Sequence, residues 1–219
     1  MSKNFIMSYS CGKDSTLALY RMIKNGDKPK ALLITVDKKV CRSWFHGIPN
    51  SLIQDVSDSL DIPVILVETE GGDSYVESFD KALINAKNEL EIDSCVFGDI
   101  DLEPHREWCT QRCDNAGIEA VFPLWQEERE ALVYEFIDCN FKTVIKNVKL
   151  SCMGEEFLGE ILTKDIVAKI KATGSDPCGE NGEYHTFVYD GPLFKNKIKF
   201  NTNGVIINGD YGYLDIGEK

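Results

Sequence analysis

Short unbroken apolar runs alternate along this chain with stretches in which apolar residues recur every three or four positions. Residues 5–7, Phe-Ile-Met, form the first run, and residues 16–23 then carry apolar side chains at helical spacing. The pairing continues, with buried strands predicted at 31–36, 63–67, 94–98 and 119–122 and helices at 51–60, 75–90 and 103–116. Strands alternating with helices predict an α/β fold, a parallel sheet with right-handed crossovers and helices on both faces. In that architecture ligands bind beyond the carboxyl ends of the strands. The loops at 10–15, at 41–50 and after Gly98 would all share that edge. From Pro123 the pattern changes. Helices are predicted at 127–138 and 162–172 and a strand at 142–148, and from Tyr184 onward turn residues separate segments suited to antiparallel strands. The chain therefore divides into a larger domain, 1–122, and a smaller C-terminal α+β part, 123–219. No flexible linker separates them, so the two are expected to pack tightly.

Composition narrows the classes of function. The chain has 219 residues of which 43% are apolar, enough for a packed core, and no low-complexity tract argues for disorder. Net charge is −12 with no cluster of Lys and Arg. A broad nucleic-acid surface, which needs such a cluster to neutralise phosphates, is disfavoured. Neither a basic-then-apolar leader nor an apolar run of bilayer length is present, so the expected location is the cytoplasm and not a membrane. Eight cysteines fall at irregular spacings without a C-x-x-C, which argues against a zinc ribbon or a thioredoxin-type site. His105, Cys109 and Cys113 repeat every four residues along a predicted helix. That spacing suits a metal site or, as the preferred reading, thiols packed as small apolar groups. A homodimer is compatible with the chain, but nothing in it demands one.

Chemistry concentrates first in Ser10-Cys11-Gly12-Lys13-Asp14-Ser15, between the first strand and the first helix. Backbone N–H groups at a helix start lack intrahelical partners and carry partial positive charge, the requirement for holding phosphate oxygens. Gly12 lets the backbone approach an anion closely, and Lys13 adds a point charge. Asp14 and Ser15 stand where they can cap the helix or help hold magnesium. The string is not a Walker A loop, because Met7 occupies the first glycine position and Asp14 separates Lys13 from Ser15. Three further segments share the predicted edge or the C-terminal part. Trp44, Phe45 and His46 offer stacking and a hydrogen bond to a base, or else belong to the core and a helix cap. Gly98-Asp99 closes the fourth strand, with Asp99 placed for a metal or a ribose hydroxyl and Arg106 a turn further on for phosphate charge, or else Asp99 is an ordinary helix cap among surface ion pairs. The run from Asp176 to Thr186, with Gly179, Glu180, Gly182 and Glu183, makes a tight anionic loop suited to a cationic or amine-bearing group or to the reaction metal.

Residues 10–15 resemble the S-G-G-x-D-S pyrophosphate loop of the N-type ATP pyrophosphatases, with Cys11 where that family usually has glycine. If the position needs φ > 0, a side chain there costs about 1 kcal/mol. Together with Gly98-Asp99-Ile100, Arg106, Pro123-Leu124-Trp125 and a C-G-E-x-G-E-Y-x-T run ending in D-G-P-L-F, the chain resembles the diphthine–ammonia ligase family from Ser8 to about Phe194. Asn181 and His185 depart from that family's pattern in the presumed substrate loop.

The resemblance implies a Rossmann-like, adenine nucleotide alpha hydrolase-like domain that takes ATP and Mg2+. ATP would lie on Ser10, Cys11, Gly12, Lys13, Asp14, Ser15, His46 and Gly98, with the metal on Asp14 and Asp99. A substrate carboxylate, diphthine on elongation factor two, would be adenylated with release of pyrophosphate. Ammonium would then supply the nitrogen of the amide, since no glutaminase signature is present. Lys13, Asp14, Asp99, Arg106, Glu180 and Glu183 are the implied catalytic groups. Trp125, Gly179, Glu180, Gly182, Glu183, Tyr184 and Thr186 are the implied substrate contacts, with Tyr184 or Trp125 offering a cation–π face to the trimethylammonium group. Two alternatives stay open. One is an ATP pyrophosphatase acting on another small molecule or on RNA, and the other is a nucleotide-binding module without turnover.

Overall fold

The structure is a computed structural model that describes residues 2–218. β1 (Asn4–Ser8) leads through a tight loop into α1 (Lys13–Lys24), and β2 (Lys28–Asp37) returns parallel to β1. A two-residue β3 (Arg42–Ser43) lies antiparallel against the end of β2. Then come α2 (Asn50–Leu60), β4 (Val64–Thr69), α3 (Asp73–Leu90), β5 (Ser94–Val96), α4 (Glu103–Ala116) and β6 (Glu119–Val121). The parallel strands stand in the order β4-β2-β1-β5-β6. From β1 the chain moves outward through β2 and β4, then crosses back to lay β5 and β6 on the other side. The carboxyl ends of β1 and β5 thus flank the switch point, where such sheets bind ligands.

Two-faced burial explains why these strands read as unbroken apolar runs. Phe5, Met7, Leu32 and Ile34 pack with Leu17 of α1 and Leu52 and Val56 of α2. Ile6, Ala31 and Leu33 point the other way, into Phe79 and Leu83 of α3 and Cys113 of α4. Each such Leu, Ile or Phe contributes about 1.5–3 kcal/mol by leaving water.

The C-terminal part holds α5 (Arg129–Asp138), β7 (Lys142–Lys149), a 3-10 turn at Glu155–Phe157, α6 (Lys164–Ala172), β8 (Tyr184–Asp190), β9 (Phe200–Asn208) and β10 (Tyr211–Glu218). Its antiparallel sheet runs β8-β7-β10-β9. Two helices begin later than their periodicity predicts, for the same reason. Glu128 accepts from the Ala131 N–H at 2.7 Å, and Thr163 accepts from Ile166 at 3.3 Å, so each is a cap and not a helical residue. β3 was not anticipated, since two residues carry no period.

One apolar layer runs through both parts, joining Phe5 and Leu17 to Phe136, Val144, Phe187 and Ile216. Beside it Arg21 of α1 reaches Glu127 at 2.5 Å and also pairs with Glu135. Among the described residues no helix is long and apolar enough to cross a membrane.

Candidate active site

The loop after β1 turns at Cys11, whose φ of 63° places it in the left-handed region. A side chain there carries a penalty of about 1–2 kcal/mol. Cys11 is also fully buried in the shared core, and that burial offsets part of the cost. Gly12 then begins α1 without any side-chain cap, so Asp14 and Ser15 do not cap the helix as their positions suggested. The physical reason is that β8 supplies the partners. The Lys13 N–H donates to Thr186 Oγ1 at 3.0 Å, and Val188 N–H donates to the Cys11 carbonyl at 2.9 Å. Ser10 and Ser15 hydroxyls meet at 3.1 Å and brace the loop from within. The N–H groups of Asp14 and Ser15 find no protein acceptor among the described residues, which leaves them for an anion.

Gly12 and Gly98 are required by close approach. A Cβ on Gly12 would sit 2.4 Å from His46 Cε1. One on Gly98 would sit 2.7 Å from the Ser15 backbone nitrogen and 2.9 Å from the Asp14 carbonyl carbon. The loop that follows β5 therefore presses directly against the first turn of α1, and Asp99 lines the same cavity as Asp14.

Above this junction lies a cavity of about 420 Å³. Polar groups of Ser10, Lys13, Asp14, Asp99, Glu180 and His185 line it together with the aromatic rings of Trp44, Tyr75, Phe79 and Trp108. The four aromatic rings form a connected wall, with centroids 5.2–6.4 Å apart. Ser15, Phe45, His46, Gly98, His105, Gly179, Tyr184 and Thr186, also singled out in the sequence, line the cavity too. His46 is buried and its Nδ1–H donates to the Thr186 carbonyl at 2.7 Å, which leaves Nε2 as an acceptor. Phe45 also lines the cavity but is 60% exposed, so it stands at the solvent side of the lining.

Burial and charge set the protonation of the lining. Lys13, 5% exposed, donates to Asp14 Oδ2 at 2.8 Å. Burial alone would lower its ammonium, but its neighbours, Asp14 first among them, oppose this, and Lys13 is held above the ordinary lysine range. Glu180 is pushed up from 4.5 to about 7, first by burial and then by the Asp14 carboxylate. Burial pushes His185 down to about 4 and His46 well below its usual value, so both imidazoles are neutral. His105 is raised by its hydrogen bond to Asp99, 3.3 Å away. Burial pushes the Cys11 and Cys178 thiols up, which keeps them from acting as thiolates.

Several sequence-selected residues stand elsewhere. Arg106 does not line the cavity, because α4 turns it over the Trp125 ring at 4.8 Å. The Tyr184 ring has Lys13 Nζ at 5.2 Å, and its hydroxyl donates to the Pro177 carbonyl at 2.6 Å. Both suggested cation–π faces thus already hold a cation of the chain itself. Glu183 turns into its own loop, accepting from the N–H groups of Asn181 at 3.0 Å and Asp176 at 3.3 Å. Gly182 lies outside the cavity lining as well. Cys109 and Cys113 pack as buried apolar groups, while His105 turns to Asp99. Among the described residues no three His, Cys, Asp or Glu side chains group to hold a metal ion.

Sequence reasoning missed Tyr75, Phe79 and Trp108. Tyr75 and Phe79 stand four apart on α3, a spacing that reads as an ordinary core stripe.

Fold and site together define a parallel α/β protein in which the loop between β1 and α1, with two N–H groups left without a protein acceptor among the described residues, opens into a cavity at the sheet's switch point. The comparisons with known proteins are consistent with that class and carry it further. Residues 3–120 match the diphthamide synthase N-terminal domain and residues 128–219 match the diphthamide synthase C-terminal domain. The chain belongs to the diphthamide synthase family.

A human relative named diphthine–ammonia ligase is 30% identical over 156 residues, covering 68% of this chain and 57% of the human protein. The zebrafish Danio rerio protein of the same name is 27% identical over 232 residues, covering 95% of this chain and 90% of its own. The Schizosaccharomyces pombe protein of that name is 26% identical, covering 94% of this chain but only 38% of its own. The chain thus spans a little over half the length of the human relative. A crystal structure from Methanocaldococcus jannaschii, described as a predicted subunit of tRNA methyltransferase, aligns with 90% of this chain and 100% of its own at 17% identity and a TM-score of 0.46.

Proposed function

We propose that this chain is an ATP-dependent, AMP-forming ligase that joins a carboxylate to ammonia, with diphthine on elongation factor two as the carboxylate. One observation carries the reading. A phosphate-type loop with a buried Lys13 opens into the same cavity as Glu180, a carboxyl that exchanges its proton near neutrality. In this reading residues 1–122 bind the nucleotide and 123–219 bring the substrate loop to it.

The triphosphate of ATP, a substrate here, lies along the first turn of α1 on the free N–H groups and the Lys13 ammonium. The adenine lies against Trp44, Tyr75 and Trp108. Asp14 and Asp99 offer hard oxygen donors at one cavity, which fits the habit of Mg2+ to take one or two carboxylates and complete its shell with phosphate oxygens and water. Held there, the ion would neutralise charge that builds on the phosphates.

A substrate carboxylate oxygen attacks the α-phosphorus. The bond to the bridging oxygen breaks, and pyrophosphate leaves with that electron pair. The acyl group is now joined to AMP, a far better leaving group than oxide. Ammonium, drawn in beside Asp14, Asp99 and Glu180, must lose a proton before its nitrogen can attack, and Glu180 accepts it. As the tetrahedral adduct collapses AMP departs and a second proton is released to water. Positioning and electrostatics do the protein's share.

Incubation with α-labelled ATP, Mg2+ and ammonium, with and without diphthine-bearing elongation factor two, tests this reading. Release of AMP and pyrophosphate that depends on the factor is expected. Release of ADP and phosphate, or turnover indifferent to the factor, would contradict it.

A second expectation follows from Glu180. Its folded pKa of about 7 lies above the 4.5 of an ordinary glutamate, so the native state keeps a proton that the unfolded chain releases. Glu180 therefore favours folding least above pH 7, and its penalty vanishes below about 4.5. Glu180→Gln should raise Tm relative to the parent at pH 8, show little difference at pH 4, and yet lose most turnover at pH 8. Equal Tm differences at both pH values would refute the environment assigned to Glu180.

A further inference from the structure

The segment that carries Glu180 has no regular secondary structure, and Asp99 too lies on a loop. Their relative placement is fixed by residues outside the cavity lining. Arg129, the first residue of α5, donates from Nε and Nη2 to the two oxygens of Asp101 at 2.8 and 2.6 Å. The same guanidinium donates from Nη1 to Asp176 Oδ2 at 2.5 Å. Asp101 is two residues beyond Asp99. Asp176 in turn accepts the N–H of Cys178 on Oδ1 at 2.9 Å and that of Glu180 on Oδ2 at 3.1 Å. A cross-tie closes the circuit, as the Ile100 N–H donates to Glu180 Oε1 at 3.3 Å.

We infer that Arg129 is a positioning residue, whose guanidinium ties the Asp99 loop to the Glu180 loop so that both carboxylates face one cavity in a fixed arrangement. Arg129, Asp101 and Asp176 do not line that cavity, so their contribution is to geometry and not to contact with substrate. An exposed ion pair by itself adds little. Here the Asp176 side chain is only 8% exposed, and it relays the tie to two backbone N–H groups. Only the planar, multi-donor guanidinium can serve two carboxylates at once in this way. The consequence for turnover rests on the function proposed above; the tie itself does not.

The test compares Arg129→Gln and Arg129→Lys with the parent by amide hydrogen exchange and steady-state kinetics. In Arg129→Gln the amides of residues 178 and 180 should exchange about 10-fold faster or more, while those of β7 stay unchanged. Turnover should fall by about 10- to 100-fold, with the KM for ATP changed less than about threefold. Arg129→Lys should recover part of the loss by keeping one arm of the tie. Unchanged exchange at 178 and 180, or faster exchange spread across the whole chain, would overturn the inference. So would kcat unaffected by a loosened loop. A parent protein that turns over none of the proposed substrates would sink the proposed function, while loop-localised exchange in Arg129→Gln would still support the tie.

Discussion

Replacing Lys13 by methionine should lower turnover by about 10²–10³-fold, the loss typical when a preorganised charge that stabilises a transition state is removed. Methionine matches the lysine stem out to Cε and lacks only the ammonium, so it fills most of the buried slot beside the Tyr184 ring. The fold should therefore persist, and the loss should be in the chemical step more than in folding. Asp14, 29% exposed, can turn to water when it loses Lys13 as partner. Thermal melting and steady-state kinetics on the same preparation separate the two effects. A variant that melts like the parent but turns over within threefold of it would mean that Lys13 does not meet the phosphates. Arginine at 13 should not rescue activity, because its larger planar head does not fit a site where the lysine is only 5% exposed.

The second large effect concerns Gly98. A methyl group there meets backbone atoms of Ser15 and Asp14 at 2.7–3.0 Å, and backbone at a helix start cannot swing aside as a side chain can. Gly98→Ala should cost about 1–3 kcal/mol from overpacking. For a chain of this size that corresponds to a Tm lower by about 2–4 °C for each kcal/mol. The strain falls on the Asp14–Ser15 peptide, whose N–H is one of the two that the proposed function assigns to the phosphates, so ATP-driven turnover should drop by about 100-fold or more even well below the melting transition. If Gly98→Ala binds and uses ATP like the parent, the junction of β5 with α1 is not what shapes the phosphate site.

Much of the layout was legible because it is written in local periodicity and in one dense motif. Strands buried on both faces must be apolar throughout, so Phe5-Ile6-Met7 and Ala31–Val36 announce themselves without any partner in view. The bounds of α4, Glu103–Ala116, coincide with the predicted ones because the glycine at 117 adopts the left-handed turn that ends it.

What escaped was pairing across long stretches of sequence. Arg129 reaches Asp176 across 47 positions, and nothing local marks either as the other's partner. Tyr184 and Trp125 read as open aromatic faces because the sequence cannot reveal that Lys13 and Arg106 already lie over them. Glu183 matched Glu180 in type and spacing, yet the three N–H donors of its own loop turn it inward while Glu180 faces the cavity. The aromatic wall was hidden for the opposite reason. Tyr75, Phe79 and Trp108 sit at helical spacings that any buried helix face would show, and only their meeting over the ends of β2 and β5 distinguishes them.

The central claim is that a carboxylate is activated at the α-phosphorus before ammonia displaces AMP. Elongation factor two whose diphthine carboxylate carries 18O at both oxygens, incubated with the protein, MgATP and ammonium, distinguishes the routes directly by mass spectrometry. The account predicts one 18O in each AMP formed, none in pyrophosphate, and a matching amount of primary amide on the factor. Unlabelled AMP, or ADP with the label in phosphate, would contradict it.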